Sequence, residues 1–309
     1  YYFHRDKVEK ALEEVRLIAE EAFVAKVQVM IDFWEEEQTV ERLRRRFKDM
    51  YGFSLHESFT QPGIAHAGGR VAGTNVDLDK LIRLGIPGLR EEIHKAKEIK
   101  LAPFYEAFEM SVDVIVRACE IYRMNALELL ETETGEKRRK ELREMAEVLQ
   151  NIQVRKPESF KEGLQLFWIY SAVSDLMNYG RMDIYLGDLY CRDVDAGVMD
   201  EEEAVAWLSS LWRQFVRVGK IHDCRVIVGG VGRRNEKNAD RLAMTIMEVS
   251  RRMKEVVPQL TLRYYTGMDE RLMDKALSVL GDGYCFPILY SDDTNVPAVM
   301  KAYDVNREE

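Results

Sequence analysis

Cys224-Arg-Val-Ile-Val-Gly-Gly-Val231 is a short run of β-branched residues that ends in glycines, and it opens the most informative part of the chain. A helical pattern follows it, and the same alternation of apolar run and helical pattern recurs twice more before the C-terminus. Such alternation is typical of βαβ units, in which helices join parallel strands. The sequence therefore predicts three mutually parallel strands, at 224–231, 257–264 and 286–290.

Polar side chains and glycines stand where these predicted strands end. Gly230, Arg263 and Asp292 are expected at one rim, and ligands of α/β sheets bind outside the carboxyl ends of the strands. We therefore expect this rim to form the floor of a site. Arg263 ends an apolar strand, and an unpaired buried guanidinium is too costly to persist. Its guanidinium is predicted to contact either Asp292 or a bound anion.

Composition narrows the classes of function. The chain has 309 residues, a net charge of −9 and 46% hydrophobic residues, which is enough for a large core. The acidic balance argues against a nucleic acid as partner, because phosphate binding needs a basic face. No apolar run approaches the roughly 20 residues that span a bilayer, and no signal peptide opens the chain. The four cysteines are widely spaced, which predicts reduced thiols in the cytoplasm and no disulfide.

Three segments carry a resemblance to a known family: Asn178-Tyr-Gly-Arg-Met-Asp-Ile-Tyr185, Pro258-Gln-Leu-Thr-Leu-Arg-Tyr-Tyr265 and Pro287-Ile-Leu-Tyr-Ser-Asp-Asp293. They resemble segments of the glycyl radical enzymes, the superfamily of pyruvate formate-lyase and the radical dehydratases. The similarity is specific from about Phe160 onward. It implies an α/β fold, with a helical N-terminal layer over 1–156. A buried helix and the first half of a glycyl-radical-type barrel (βαβαβα) would follow over 157–309.

The resemblance also implies a type of chemistry. In this family a radical-SAM activating enzyme abstracts hydrogen from a glycine, and the radical passes to a cysteine whose thiyl attacks a small-molecule substrate. By resemblance both radical carriers lie beyond Glu309, so the chain is expected to be an inactive piece of a longer protein. The intact protein is expected to be an anaerobic, cytoplasmic homodimer without a bound cofactor. It would act as a lyase, such as a dehydratase, a decarboxylase or a C–C or C–N lyase, on a small polar substrate.

Three other functions stay open. The intact protein would be an acyl transferase of the formate C-acetyltransferase kind if Arg225 and Arg263 together hold a substrate carboxylate. It would be a metal-assisted α/β-barrel enzyme if the acidic rim binds a divalent ion. A non-catalytic half that docks a partner would expose a large apolar edge on its last strand.

The candidate site residues fall into two groups. One group is expected to position the substrate along the barrel wall: Asn178, Asp223, Arg225, Arg263, Asp292 and His66. His66 enters because the family often has a histidine shortly before residue 76, where this chain has Gly73 instead. The second group is expected to form ion pairs that fix the barrel geometry: Arg181, Asp183 and Asp293.

Four further motifs have a structural interpretation beside a functional one. Glu91-Glu-Ile-His94 has the Glu-x-x-His spacing of di-iron bundles, but the second copy that this chemistry needs is absent, so no metal is predicted. Gly229-Gly-Val-Gly232 is interpreted as a place of close backbone approach rather than a phosphate loop. Asp200 is expected to cap a helix rather than to bind calcium. Cys285 is predicted to be a buried strand cysteine.

The N-terminal part of the sequence is dominated by helical patterns. It predicts helices at 7–37, 103–132 and 137–149, with a break near Gly85 and Pro87 in the segment between them. Residues 56–75 contain several glycines and no periodicity, which indicates a loop.

Overall fold

The computed structural model describes residues 5–16, 20–38, 42, 45, 76–99, 103–174, 176, 178–218 and 224–306. His66, Asp223 and the predicted loop at 56–75 lie outside the described residues. The chain divides into two compact units, Tyr1–Thr74 and Asn75–Glu309. The domain boundary predicted after residue 156 falls inside the second unit and stays a prediction.

Over 7–37, where the sequence predicted one helix, the described residues of the first unit form two. Helix α1 spans Arg5–Val15 and helix α2 spans Glu21–Glu37. They are separate because Glu20, just before α2, has an extended backbone conformation rather than a helical one. Arg5 forms an ion pair with Glu35, which connects α1 to α2.

The second unit begins with a helical layer that leads to the sheet. It consists of α3 (Leu78–Ile99), α4 (Pro103–Thr132), α5 (Glu136–Val154) and α6 (Phe160–Val173). The predicted break in α3 is present, since Gly85 has φ +66° and interrupts the helical conformation. Only a residue without Cβ adopts that conformation readily. The predicted buried helix is α6, whose Leu166 and Phe167 are fully buried.

Strands and helices then alternate to the end of the described chain. The elements are β1 (Asn178–Arg181), α7 (Met182–Asp195), α8 (Glu201–Val218), β2 (Arg225–Gly229), α9 (Glu236–Met253), β3 (Gln259–Tyr264), α10 (Glu270–Gly281), β4 (Ile288–Ser291) and α11 (Asp292–Tyr303). Asp200 caps α8 as predicted: its Oδ1 accepts from the Glu203 amide at 2.7 Å, and Glu203 accepts in return from the Asp200 amide at 3.2 Å. This reciprocal pair satisfies two backbone donors at the start of the helix.

The four strands form one sheet in the order β1-β2-β3-β4, and every neighbouring pair is parallel. The predicted parallel arrangement of the last three strands is therefore confirmed. Strands β3 and β4 begin after Pro258 and Pro287, because proline has no N–H to donate to a neighbouring strand. Strand β1 was not predicted, since it is four residues long and contains a glycine with φ +58°.

The two faces of the sheet differ in chemistry. Val226, Val228, Leu260 and Leu262 are fully buried and belong to the same hydrophobic core as Ile246 of α9. Successive side chains of a strand point to opposite faces. The residues between these four are Ile227 and Thr261, and they line a cavity on the other face. The core therefore lies on the α9 side of the sheet, and the opposite face is available for a site.

No helix of the described residues combines the length and the apolar character needed to cross a bilayer.

Candidate active site

The face of the sheet opposite α9 borders a cavity of about 460 Å³. Side chains of β2, β3 and β4 form one wall, and α11 forms the other. Cavities of this size hold small-molecule ligands. A larger groove, of about 760 Å³, lies among α8, α9 and α10. We place the candidate site in the smaller cavity, because it reaches the carboxyl ends of parallel strands, where ligands of α/β sheets bind.

The acidic and basic side chains of the larger groove mostly bind one another. Glu248 in that groove forms ion pairs with Arg251, Arg252 and Lys275. These partners, Arg251 first, hold the pKa of the Glu248 carboxyl far below its ordinary value despite partial burial. The groove is a network of ion pairs between helices, and its charges stabilise one another.

Arg263 and Asp292 form a bidentate ion pair at the rim of the cavity. Arg263 Nε donates to Asp292 Oδ1 at 2.7 Å, and Nη2 donates to Oδ2 at 3.0 Å. Asp292 Oδ2 also accepts from the Val231 amide at 2.8 Å. Asp292 is only 3% exposed, so both of its oxygens are satisfied within the fold. Of the two partners predicted for Arg263, the structure has the aspartate.

Gly229 and Gly230 allow this ion pair to lie against the backbone of β2. A Cβ added at Gly229 would lie 2.4 Å from the carbonyl oxygen of Arg263, and one added at Gly230 would lie 2.9 Å from Asp292 Oδ2. Both glycines have positive φ values, of +75° and +87°. The close backbone approach predicted here is present, and the neighbouring element is β3 with Asp292. An approach to a substrate or to the radical-bearing loop stays a prediction.

Arg181 and Asp183 do not use each other as partners in the way that the sequence suggested. Arg181 Nη2 donates to the carbonyls of Gly229 and Gly230, at 2.8 and 3.0 Å. Asp183 Oδ2 accepts from the Gly229 amide at 2.8 Å and from Arg233 Nη1 at 3.3 Å. Arg181 ends β1, whereas Asp183 lies in the first turn of α7. The two side chains therefore reach different backbone atoms of the glycine-rich segment at the end of β2.

Burial changes the pKa values of both groups. It raises the pKa of the Asp183 carboxyl to about 6, although the Arg233 guanidinium and the Gly229 amide act in the opposite direction. It lowers the pKa of the Arg181 guanidinium to about 10. Asp183 is thus the most strongly perturbed carboxyl group beneath the rim.

Arg233 is the residue of this network that the sequence analysis missed. Its side chain is fully buried, donates through Nε to the Gly230 carbonyl at 2.9 Å, and forms ion pairs with Asp183 and Asp240. The available signal was its position directly after the glycine-rich turn. Its side chain folds back under that turn to reach the Gly230 carbonyl and Asp183.

Asp293 was predicted in an ion pair, and its observed partners are different. Its Oδ2 accepts from the backbone amide and the hydroxyl of Thr266, both at 2.8 Å. The carboxylate therefore fixes the turn after β3 by hydrogen bonds to neutral groups.

Arg225 and Asn178 lie side by side on the sheet. Asn178 of β1 is in register with Arg225 of β2, which is in register with Gln259 of β3. The guanidinium of Arg225 lines the cavity, and its Nη2 lies 3.5 Å from the side-chain oxygen of Gln259. The structure brings Arg225, Arg263 and Asp292 together around one cavity.

Two other motifs have structural outcomes. The prediction that Cys285 is a buried strand cysteine is wrong, because the residue is exposed and lies before the start of β4. His94 of the Glu-x-x-His motif lies 3.0 Å from Glu109 of α4. Within the part of the chain that the structure describes, no group of three or more His, Cys, Asp or Glu side chains is arranged to hold a metal ion. The absence of a bound metal stays a prediction.

Comparison with known proteins adds a family match to this geometry. The family model described as PFL-like, pyruvate formate lyase-like, matches residues 5–309. The probable dehydratase YbiW of Escherichia coli (strain K12) is 30% identical over 73% of this chain and 32% of its own length. Trans-4-hydroxy-L-proline dehydratase of Clostridioides difficile is 22% identical over 92% of this chain and 40% of its own length.

Solved structures show the same fold. A glycyl radical enzyme from Archaeoglobus fulgidus superimposes with a TM-score of 0.67 and 21% identity, over 95% of this chain and 40% of that one. The chain thus spans between about a third and two fifths of the length of the proteins that it matches.

Proposed function

Since this chain belongs to the pyruvate formate lyase-like family, within the glycyl radical enzymes, we propose that it forms one wall of the active site of a radical lyase. The proposed reaction is the elimination of a small group, as in a dehydratase, from a small polar substrate in the cavity beside β2, β3 and β4. The relatives named above are dehydratases, which supports this reaction class over others in the family.

One observation favours a lyase over an acyl transferase. The acyl transferase alternative requires Arg225 and Arg263 to hold a substrate carboxylate together. Arg263 instead directs two of its donors at the two oxygens of Asp292. A guanidinium engaged bidentately with one carboxylate no longer presents that fork to a second one. Of the two arginines, only Arg225 is left for the substrate.

In this proposal the chain positions the substrate and excludes water. Arg225 and Thr261 supply donors on the sheet side of the cavity, and α11 covers the other side with apolar side chains. The glycyl radical and the thiyl, carried by sequence outside these 309 residues, would supply the hydrogen abstraction. A closed wall matters because a radical intermediate must be shielded from solvent.

The test uses the complete protein together with a radical-SAM activating enzyme under anaerobic conditions. We expect activation to give a glycyl radical signal in electron paramagnetic resonance. We also expect a hydroxylated substrate, such as trans-4-hydroxy-L-proline, to lose water. The matched assay supplies pyruvate and coenzyme A. Formation of formate from these, without dehydration of any hydroxylated compound, would contradict the lyase proposal and support the acyl transferase.

A further inference from the structure

The charges that line the cavity do not cancel. Its charged lining residues are Arg225, Arg263 and Asp292. Arg263 and Asp292 neutralise each other through their bidentate ion pair. Arg225 therefore leaves the lining with one positive charge that no lining carboxylate balances.

Two polar groups on the sheet side of the cavity lack partners among the described residues. They are Nε of Arg225 and the hydroxyl of Thr261, and both are buried. Thr261 is only 2% exposed, so bulk water does not satisfy its hydroxyl. Buried polar groups in folded proteins are nearly always paired, and an unpaired one on a cavity wall points to a ligand or an ordered water.

The two donors are placed to reach one ligand. Thr261 is in register with Ile227, two residues along β2 from Arg225, so both side chains lie on the same face of neighbouring strands. Strand spacing and rise put their Cα atoms about 8 Å apart. The arginine side chain is long, so its guanidinium and the Thr261 hydroxyl can reach the oxygens of a single acidic group.

The opposite side of the cavity is mainly apolar. It is formed by Val296, Val299 and Met300 of α11 and by Val305, and Asn295 and Asn306 are its polar members. A ligand that matches both sides has a charged head against the sheet and a short carbon skeleton against the helix.

We propose that Arg225 and Thr261 form a subsite for an oxyanion, a carboxylate or a sulfonate, on a short-chain substrate. Its assignment to the substrate rests on the lyase function proposed above. The subsite deepens that function, because it selects anionic substrates over neutral diols.

The experiment measures binding in the complete protein without activation, so it does not depend on the radical. Isothermal titration calorimetry with propionate, ethanesulfonate and the neutral 1-propanol compares three probes of similar size. We expect at least one anion to bind, and 1-propanol to bind roughly tenfold more weakly or not at all, since hydrogen bonds to charged groups contribute more than neutral ones.

Three variants locate the anion. Arg225→Gln is expected to weaken binding of the anion by roughly 10- to 100-fold, the range for losing a hydrogen bond to a charged group. Arg225→Lys keeps the charge without the planar fork and should give an intermediate loss. Thr261→Val should weaken binding by roughly 3- to 10-fold through loss of one neutral donor. The control is Arg271→Gln, because Arg271 lies outside the cavity with a side chain 81% exposed.

The outcomes separate this inference from the proposed function. Anion binding that Arg225→Gln or Arg225→Lys weakens, in a protein that develops no glycyl radical, supports the subsite and contradicts the lyase. Equal binding of 1-propanol, no binding of either anion, or anion affinity unchanged in both Arg225 variants would overturn the subsite, whatever the activation assay shows. Melting temperatures of the variants serve to exclude loss of folding, and Arg225→Lys keeps the test decisive if Arg225→Gln does not fold.

Discussion

Asp292 connects three parts of the sheet through one carboxylate. It is the first residue of α11, it binds Arg263 of β3, and it accepts from the amide of Val231 just after β2. Because all of this happens at a site that is 3% exposed, removal of the cation would leave a buried charge without compensation.

We therefore expect Arg263→Met to lower the free energy of unfolding by about 3 kcal/mol, the scale for breaking a buried pair from one side. Denaturation in urea measures this loss. In a double-mutant cycle, Arg263→Met combined with Asp292→Asn should lose clearly less than the sum of the two single variants. Arg271→Met is the control: its pair with Asp269 is exposed and screened by solvent, so it should lose clearly less stability than Arg263→Met. Similar losses for the two arginines would contradict a structural role for Arg263.

Asp183 predicts a pH dependence of stability. Its pKa is raised in the folded state from 3.8 to about 6, so between these values the folded protein holds a proton that the unfolded chain has lost. Stability linked to this group is therefore present below about pH 4 and is lost as the pH rises to about 6.

The measurement is chemical denaturation of the unaltered protein and of Asp183→Asn at pH 4.5 and 7. Asparagine does not titrate, so the unaltered protein should lose stability relative to the variant between these two values. If the difference in free energy of unfolding between the two proteins stays constant from pH 4.5 to 7, the Asp183 carboxyl keeps the same protonation state throughout.

At the scale of elements, the turn after β2 offers a matched pair of glycines. Gly230 and Gly232 both have positive φ values, of +87° and +78°. A Cβ at Gly230 would meet Asp292 and Arg263, whereas one at Gly232 would have nothing within 4 Å. Substitution of either by alanine incurs backbone strain, but only Gly230→Ala also displaces the ion pair.

We expect Gly232→Ala to lower the free energy of unfolding by about 1–2 kcal/mol, because alanine is strained in the left-handed backbone conformation. Gly230→Ala should lose about 1–3 kcal/mol more, because the added methyl forces the neighbouring side chains to shift. Thermal unfolding of the two variants gives the comparison directly. Equal losses would mean that Asp292 and Arg263 move aside without cost.

The strands differ in how far their own residues predict them, and the reason is physical. Strands β2, β3 and β4 were predicted because each contains a run of apolar residues. Strand β1 has the sequence Asn-Tyr-Gly-Arg, with one fully buried side chain, Tyr179, so no periodicity marks it. Its strand character comes from pairing with β2, which is a tertiary interaction that local sequence does not encode.

At the scale of the whole molecule, the predicted architecture was confirmed while several side-chain partners were not. The sequence predicted that Arg263 could pair with Asp292, because the two residues lie at the ends of neighbouring strands and carry opposite charges. It did not predict the partner of Asp183, because Arg233 lies 50 residues away and reaches it through the path of the backbone after β2. Partners that depend on such a path require coordinates.

The same limit applies to the substrate subsite. Arg225 was a candidate from the sequence, but Thr261 was not, since a threonine within an apolar strand is an ordinary β-former. Only the register of β2 and β3 shows that both face one cavity.

The turn after β2 presents its amides alternately to two buried acids. The amide of Gly229 donates to Asp183 and that of Val231 donates to Asp292. Amide hydrogens held in this way exchange with deuterated solvent only when the local structure opens. The exchange rate of the Gly229 amide therefore reports opening of the packing beneath the turn. The exchange rate of the Val231 amide reports opening of the rim. Both rates can be read in a protein that has never been activated and has no substrate bound.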